Sequence, residues 1–197
     1  MMKFAYSVSF STLLLWSSVV AAQSSDPGVT PNEWRLLPQG CLYAEFGPEF
    51  RSPTARRLRE ADKTWVAMHH YCWAIVQEFR TFRSRMPPRE ARSILGAAIK
   101  NLDYVIVRSK PGFIYRADMF VRKARMQARR GEFIQAADTA RLLIAESPTL
   151  PEGYIALADV QIRAGQLKQA RETLARGDAE VDDKERFGAL KSGLPPH

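Results

Sequence analysis

A repeat of 34 residues constrains this chain more than any other feature of its sequence. When residues 117–150 are laid over residues 151–184 without a gap, nine positions are identical, where shared composition alone would give roughly two or three. The identical pairs are Ala124 and Ala158, Gln127 and Gln161, Arg129 and Arg163, Gly131 and Gly165, Gln135 and Gln169, Ala136 and Ala170, Thr139 and Thr173, Ala145 and Ala179, and Glu146 and Glu180. This period is that of one helix–turn–helix unit, and stacked units of this kind form an α-solenoid. Such stacks present extended surfaces that bind other chains.

Apolar residues recur at three- and four-residue steps through most of the chain, and no segment shows the alternation that is typical of a strand. The sequence therefore predicts an all-α fold, an α-solenoid of about three antiparallel helical hairpins with an irregular N-terminal segment. The predicted helices are 55–84, 88–108, 114–130, 132–146, 151–164 and 166–177, with a short capping helix at 183–191. Because two clear repeats are fewer than a stable stack needs, we expect 55–84 and 88–108 to supply a third layer.

The N-terminus has the order of a secretory signal peptide. Met1-Met2-Lys3 is a short positive start, Phe4 to Val20 is apolar and uncharged, and Val20-Ala21-Ala22 places small residues before Gln23. The alternative is an uncleaved membrane anchor, but the apolar stretch is short for a span of about 20 residues. We therefore predict a signal peptide at 1–22, an exported protein, and no stable membrane insertion after cleavage.

The rest of the chain divides by composition and periodicity. Residues 23–53 contain Pro, Ser and Gly without periodicity, which predicts a flexible or irregular leader. Residues 54–113 are expected to form a diverged helical hairpin, 114–191 the two repeats with the capping helix, and 192–197 a loose tail.

The charge of the chain is basic. Lys and Arg number 29 against 21 Asp and Glu, for a net charge of +8. An excess of this sign favours acidic partners, namely nucleic acid, anionic lipid or acidic protein segments. Export argues against nucleic acid. The alternative is that the Arg clusters are solvated helix faces with no partner.

Cys41 and Cys72 are the only cysteines. An even number in an exported chain favours one disulfide, which would contribute roughly 3–4 kcal/mol in the chain-entropy model. The alternatives are free thiols, or a metal site that adds His69 and His70. Adjacent histidines on a helix point about 100° apart, so both do not easily reach one ion. We predict no metal site.

No arrangement of residues in the sequence indicates catalysis. The chain lacks a Gly-x-Ser-x-Gly elbow, a His-Glu-x-x-His pair and a phosphate-binding loop, and its histidines are His69, His70 and His197. We therefore expect a protein that is not an enzyme and uses no cofactor.

The two copies resemble the tetratricopeptide repeat. The resemblance rests on a large residue that opens the first helix, a small residue four positions later, a glycine at the turn, an alanine early in the second helix and a closing proline. These are Phe120, Ala124, Gly131, Ala136 and Pro148 in one copy, and Tyr154, Ala158, Gly165 and Ala170 in the next, with Asp182 at the last place. The family's tyrosine in the first helix is replaced by Gln127 and Gln161.

The resemblance implies a groove built from the first helix of each hairpin. Carried over by position, its lining residues are Asp118, Val121, Arg122, Arg125, Arg129, Ile155, Asp159, Ile162 and Arg163. Guanidinium groups of Arg125, Arg129 and Arg163 converging there would suit a carboxylate or an acidic peptide. The alternative is that these arginines pair with Asp118, Asp159 or Glu152 and only make the surface soluble.

The segment His69-His70-Tyr71-Cys72-Trp73, with a cysteine upstream, is similar to a recurring type of exported repeat protein from Gram-negative bacteria. The expected function is a periplasmic protein-interaction module, a scaffold or assembly factor that binds a protein or peptide segment. Two other readings stay open: a ligand- or metal-binding envelope sensor centred on His69 and Cys72, and a binder of anionic surfaces. The sequence does not identify the partner, the pathway or the oligomeric state.

Overall fold

The computed structural model describes residues 28–82 and 86–193, so the predicted signal peptide at 1–22 and the last four residues of the tail lie outside the described part. Within that part the chain consists of helices and turns, without a strand, and none of its helices is long and apolar enough to cross a membrane. The helices are α1 (Pro31–Trp34), α2 (Pro53–Ala61), α3 (Thr64–Arg80), α4 (Pro88–Arg108), α5 (Arg116–Arg129), α6 (Phe133–Glu146), α7 (Pro151–Arg163), α8 (Leu167–Glu180) and α9 (Gly188–Ser192). The predicted all-α fold is confirmed.

Three helical hairpins, α3/α4, α5/α6 and α7/α8, are stacked in chain order. Each helix from α3 to α8 packs against the next one, and α5 also packs directly against α7. One continuous apolar core runs through the stack, from Met68 and Leu102 in the first hairpin to Leu174 in the last. A 3-10 turn at Lys184–Phe187 and α9 cover the end of the stack, where Phe187 is fully buried. The third layer that the two repeats require is therefore α3/α4.

Buried hydrogen bonds recur with the repeat. The Thr139 hydroxyl donates to Gln127 Oε1 over 2.7 Å, and the Thr173 hydroxyl donates to Gln161 Oε1 over 2.8 Å. All four side chains are buried, and each pair joins the first helix of a hairpin to its second helix. The glutamines that replace the tyrosine of the resembled repeat thus have a satisfied polar partner of their own.

The turns inside the two repeats need glycine. Gly131 and Gly165 have φ values of +86° and +75°, a region where a Cβ atom is strained. The next residue in each turn, Glu132 or Gln166, donates its backbone N–H to the carbonyl of Gln127 or Gln161, over 2.9 and 2.8 Å. These bonds satisfy backbone carbonyl groups that would otherwise have no hydrogen-bond partner at the end of the helix.

The predicted helix 55–84 is wrong as a single helix, because the chain breaks at Asp62. The backbone of Asp62 is extended, with φ −145° and ψ 120°, and its carboxylate accepts the Thr64 backbone N–H over 2.8 Å. A side chain that caps a backbone N–H in this way competes with helix continuation. Two helices result, α2 and α3, and α3 ends at Arg80.

The described part of the leader, residues 28–53, is joined to α3 by the Cys41–Cys72 disulfide and by an ion pair. Thr30 and Glu33 form a reciprocal capping box around α1. Glu33 is fully buried and pairs with Arg80 of α3, with a distance of 2.9 Å from Nε to Oε1 and 3.1 Å from Nη2 to Oε2. Composition does not reveal this ordering, because it depends on a partner 47 residues away.

Candidate functional site

The inner face is the side of the first helices α3, α5 and α7 that carries the predicted groove residues. At its first end, Tyr71 and Glu78 of α3 meet Asp118 and Arg122 of α5. The Tyr71 hydroxyl donates to Asp118 Oδ2 over 2.6 Å, Arg122 Nε donates to the same oxygen over 2.6 Å, and Arg122 Nη1 donates to Glu78 Oε2 over 2.7 Å. The network joins α3 to α5 through charged groups as well as through the core.

Electrostatics hold this network in one ionisation state. Burial would lower the pKa of Arg122, but the adjacent carboxylates of Asp118 and Glu78 raise it above its ordinary value. Burial raises the pKa of the Tyr71 hydroxyl, and the Asp118 charge raises it further. The tyrosine therefore stays protonated and the arginine stays charged at neutral pH. The network acts as a structural link, and Arg122 is already paired.

Arg129, the last residue of α5, has different surroundings from Arg122. Its guanidinium carbon lies 4.0 Å from the centre of the Phe82 ring, and Phe82 is 63% exposed just after α3. Arg129 Nη1 is buried and has no hydrogen-bond partner among the described residues. Burial lowers the pKa of Arg129, the Glu78 charge opposes that effect, and the Arg163 charge adds to it. A cation in such surroundings is not fully compensated by the protein.

The other predicted groove residues divide into three kinds. Arg125 is exposed and forms no ion pair with another described residue. Arg163 is exposed but pairs with Asp159 one turn earlier, over 2.9 Å. Val121 is buried, whereas Ile155 and Ile162 are partly buried against the core. The sequence left open that Arg125, Arg129 and Arg163 pair within the protein. That alternative describes Arg163, while Arg125 and Arg129 form no ion pair with another described residue.

Cys41 and Cys72 form a disulfide, with their Cα atoms 5.7 Å apart, as the sequence favoured. Cys72 is therefore no thiolate ligand. His69 Nδ1 lies 3.1 Å from the Val66 carbonyl oxygen, and His70 Nδ1 lies 2.8 Å from Asn101 Oδ1. In residues 28–82 and 86–193, no group of three or more His, Cys, Asp or Glu side chains is placed to hold a metal ion. The metal-binding form of the sensor reading has no support in this geometry.

Sequence reasoning missed the α3 side of the inner face. The predicted groove takes its residues from helices 114–130 and 151–164 alone and includes neither Tyr71, Glu78 nor Phe82. A signal was present in Glu78, a carboxylate inside the apolar run from Trp65 to Phe79. Such a charge is almost never buried without a partner, so it predicts a buried cation from another helix. Which cation it meets depends on which side chains of α5 reach α3.

A comparison with protein families matches residues 128–194 to a family described as tetratricopeptide repeat. No curated protein and no solved structure matches the chain. The matched segment begins near the end of α5 and includes α6, α7, α8 and α9. It covers the second 34-residue copy in full, together with the turn and the second helix of the first copy. The match, the repeat period and the stacked hairpins together identify residues 128–194 as a tetratricopeptide repeat region.

Proposed function

We propose that this protein is an exported scaffold or assembly factor that holds an acidic, partly apolar segment of a partner protein on its inner face. Tetratricopeptide repeats indicate a protein–protein interaction scaffold, and they generally have no enzymatic activity. On the proposed reading the chain is not an enzyme, and the partner lies against α5 and α7. Arg125 and Arg129 provide the positive charge for the partner's carboxylates, whereas Arg163 is already paired with Asp159.

The observation that carries the proposal is the surroundings of Arg129. Its Nη1 atom is buried and has no hydrogen-bond partner in residues 28–82 and 86–193, and Phe82 supplies an exposed apolar ring at 4.0 Å. A carboxylate that approaches the partly exposed guanidinium would compensate its charge, and an apolar side chain beside that carboxylate would cover Phe82. Charge-assisted bonds of this kind are roughly twice as strong as neutral hydrogen bonds.

Two features support export to the periplasm. The order of residues 1–22 is that of a signal peptide. The Cys41–Cys72 disulfide is the form of cysteine that persists in an oxidising compartment. Export also argues against a nucleic-acid partner, although the chain is basic. The Gram-negative origin rests on the resemblance of the segment around His69.

The rival function is binding to an anionic surface through basic residues over the whole protein rather than at one site. The two readings differ in their dependence on salt, because interactions between exposed charges are screened beyond about 8 Å at physiological ionic strength. Binding that uses Phe82 as an apolar anchor should persist at moderate salt. Binding to a charged surface alone should be lost there.

The proposal is tested by crosslinking and pulldown from the native periplasm with the wild type and with the double variant Arg125→Glu/Arg129→Glu. The matched control is Arg56→Glu/Arg57→Glu, which makes the same change of charge on the exposed side of α2. We expect a partner that the wild type and the control retain and that the inner-face variant loses. An unchanged set of partners for the inner-face variant would overturn the assignment of the site, and equal loss in both variants would favour the anionic-surface reading.

A further inference from the structure

A cavity of about 110 Å³ lies between the N-terminal segment and α3, away from the inner-face charges. Its apolar walls are Val29, Trp34, Leu37 and Phe46 on one side and Trp73 and Val76 of α3 on the other. An apolar cavity of about 150 Å³ in another protein stays dry and takes up benzene. The space is therefore of the order of a single ring or a branched alkyl group.

The two walls are fixed to each other on both sides of the cavity. The Cys41–Cys72 disulfide joins the leader to the middle of α3, and the Glu33–Arg80 pair joins α1 to its end. Arg80 also donates to the carbonyl oxygen of Gly28, over 2.6 Å. Because covalent and ionic links hold both walls, the segment does not readily collapse onto α3 and fill the space.

Phe46 marks the opening of the cavity. It has a φ of +72°, a conformation that a bulky residue rarely adopts, and it is 49% exposed. Its ring meets the His69 ring edge-on, with the ring centres 5.9 Å apart. The next residue must be small, because a Cβ atom on Gly47 would lie 2.3 Å from the Leu42 carbonyl oxygen. A strained backbone that keeps a half-exposed aromatic ring at a cavity is typical of a functional position rather than of core packing.

The lining favours an uncharged ligand. Among the described lining residues the one carboxylate is that of Glu45, and its side chain is 49% exposed at the surface. His69 and His70 also line the cavity. Burial lowers the pKa of His69, the neighbouring His70 lowers it further, and Glu45 and the Val66 carbonyl oppose these effects. A charged group between Trp34 and Trp73 would lose its hydration, and Glu45 already lies 3.4 Å from His69 Nδ1.

We propose that this cavity is a binding site for a small uncharged molecule that carries one aromatic ring or a branched alkyl group. The ring packs between Trp34 and Trp73, and Phe46 covers it. This site is independent of the inner face, so the chain has a ligand site on its N-terminal third and a partner surface on its repeats. It also gives a role to the region where the chain departs most from its own repeat.

The test uses the purified full-length mature chain and bromobenzene, a heavy-atom quencher of tryptophan fluorescence. Trp34 and Trp73 line the cavity, whereas Trp65 packs against Phe113 and Tyr115. We expect quenching that saturates as bromobenzene is added, on top of the weak linear quenching of exposed rings. Toluene, which does not quench, should compete and restore the emission.

The variant Val29→Phe fills the cavity from the leader side and should weaken bromobenzene binding at least tenfold. The matched control is Val107→Phe, the same change at a position of α4 that is 81% exposed, and it should leave binding unchanged. If Val29→Phe loses its helical circular dichroism, Leu37→Phe fills the same space from another position. Quenching that stays linear in the wild type, or that saturates equally in a folded cavity-filling variant, would overturn the proposal.

Discussion

The buried pair of Glu33 and Arg80 provides a quantitative prediction about how the N-terminal segment is held. Glu33 is fully buried and also accepts hydrogen bonds from the Thr30 backbone N–H, over 2.8 Å, and from the Thr30 hydroxyl, over 3.0 Å. The variant Glu33→Gln keeps the size of the side chain but removes its charge. Arg80 then loses the carboxylate that it meets with two nitrogen atoms.

The magnitude follows from the pKa of Glu33. The hydrogen bond from Arg80 is the largest influence, and it lowers the pKa from the ordinary 4.5 to about 2 despite burial. That difference corresponds to about 3 kcal/mol of stability at neutral pH. The Arg80 side chain is 31% exposed, so solvent screens part of the interaction, and we expect a loss of about 2 kcal/mol on substitution.

The sign of the pH dependence is fixed, because the carboxylate has a lower pKa in the folded state than in the unfolded state. Its contribution is complete above about pH 4.5 and is lost as the pH falls toward 2. Urea unfolding of wild type and Glu33→Gln at several pH values should therefore give free energies that differ at pH 7 and converge near pH 2. Glu60→Gln, an exposed change on α2, is the control. A difference that is absent at pH 7, or that is equally large at pH 2, would refute this account of the pair.

Three further predictions concern stability, each measured by urea unfolding. Reduction of Cys41–Cys72 should lower the free energy of unfolding by roughly 3 kcal/mol, and a Cys41→Ser/Cys72→Ser variant that still responded to reductant would contradict this cause. Thr139→Val and Thr173→Val should each cost about 1 kcal/mol, and clearly unequal losses would argue against equivalent hydrogen bonds in the two repeats. Gly131→Ala should cost about 1 kcal/mol because of its positive φ, and a neutral or stabilising effect would contradict the turn geometry.

The helices of the repeats could be predicted closely from the sequence. The predicted helix 88–108 has the same bounds as the observed α4 (Pro88–Arg108). The ends of the four repeat helices, α5 to α8, lie within three residues of their predicted positions. Local signals decide these ends: proline at the start of α4 and α7, and glycine after α5 and α7. The break at Asp62 was not predicted, because a single carboxylate within an apolar pattern looks like an exposed position of a continuous helix.

The candidate site was predictable in part. Spacing along a helix places Arg125 and Arg129 one turn apart, and the repeat places Arg163 at the position of Arg129. The pair of Arg163 with Asp159 lies within one helix turn, whereas the pair of Arg122 with Glu78 joins residues that are distant in the chain. The ordering of the leader and the cavity behind it depends in the same way on the long-range pairing of Glu33 with Arg80.

The central claim is that a partner segment lies on the inner face of the first helices. The most direct measurement places a photo-crosslinking amino acid at Ile155 of α7 on the inner face, or at Ile134 of α6, which is 76% exposed. Crosslinking in intact cells should give a partner adduct from position 155 but not from position 134, and Arg125→Glu/Arg129→Glu should abolish it. An adduct that forms equally from position 134, or that survives the charge reversal, would contradict the claim.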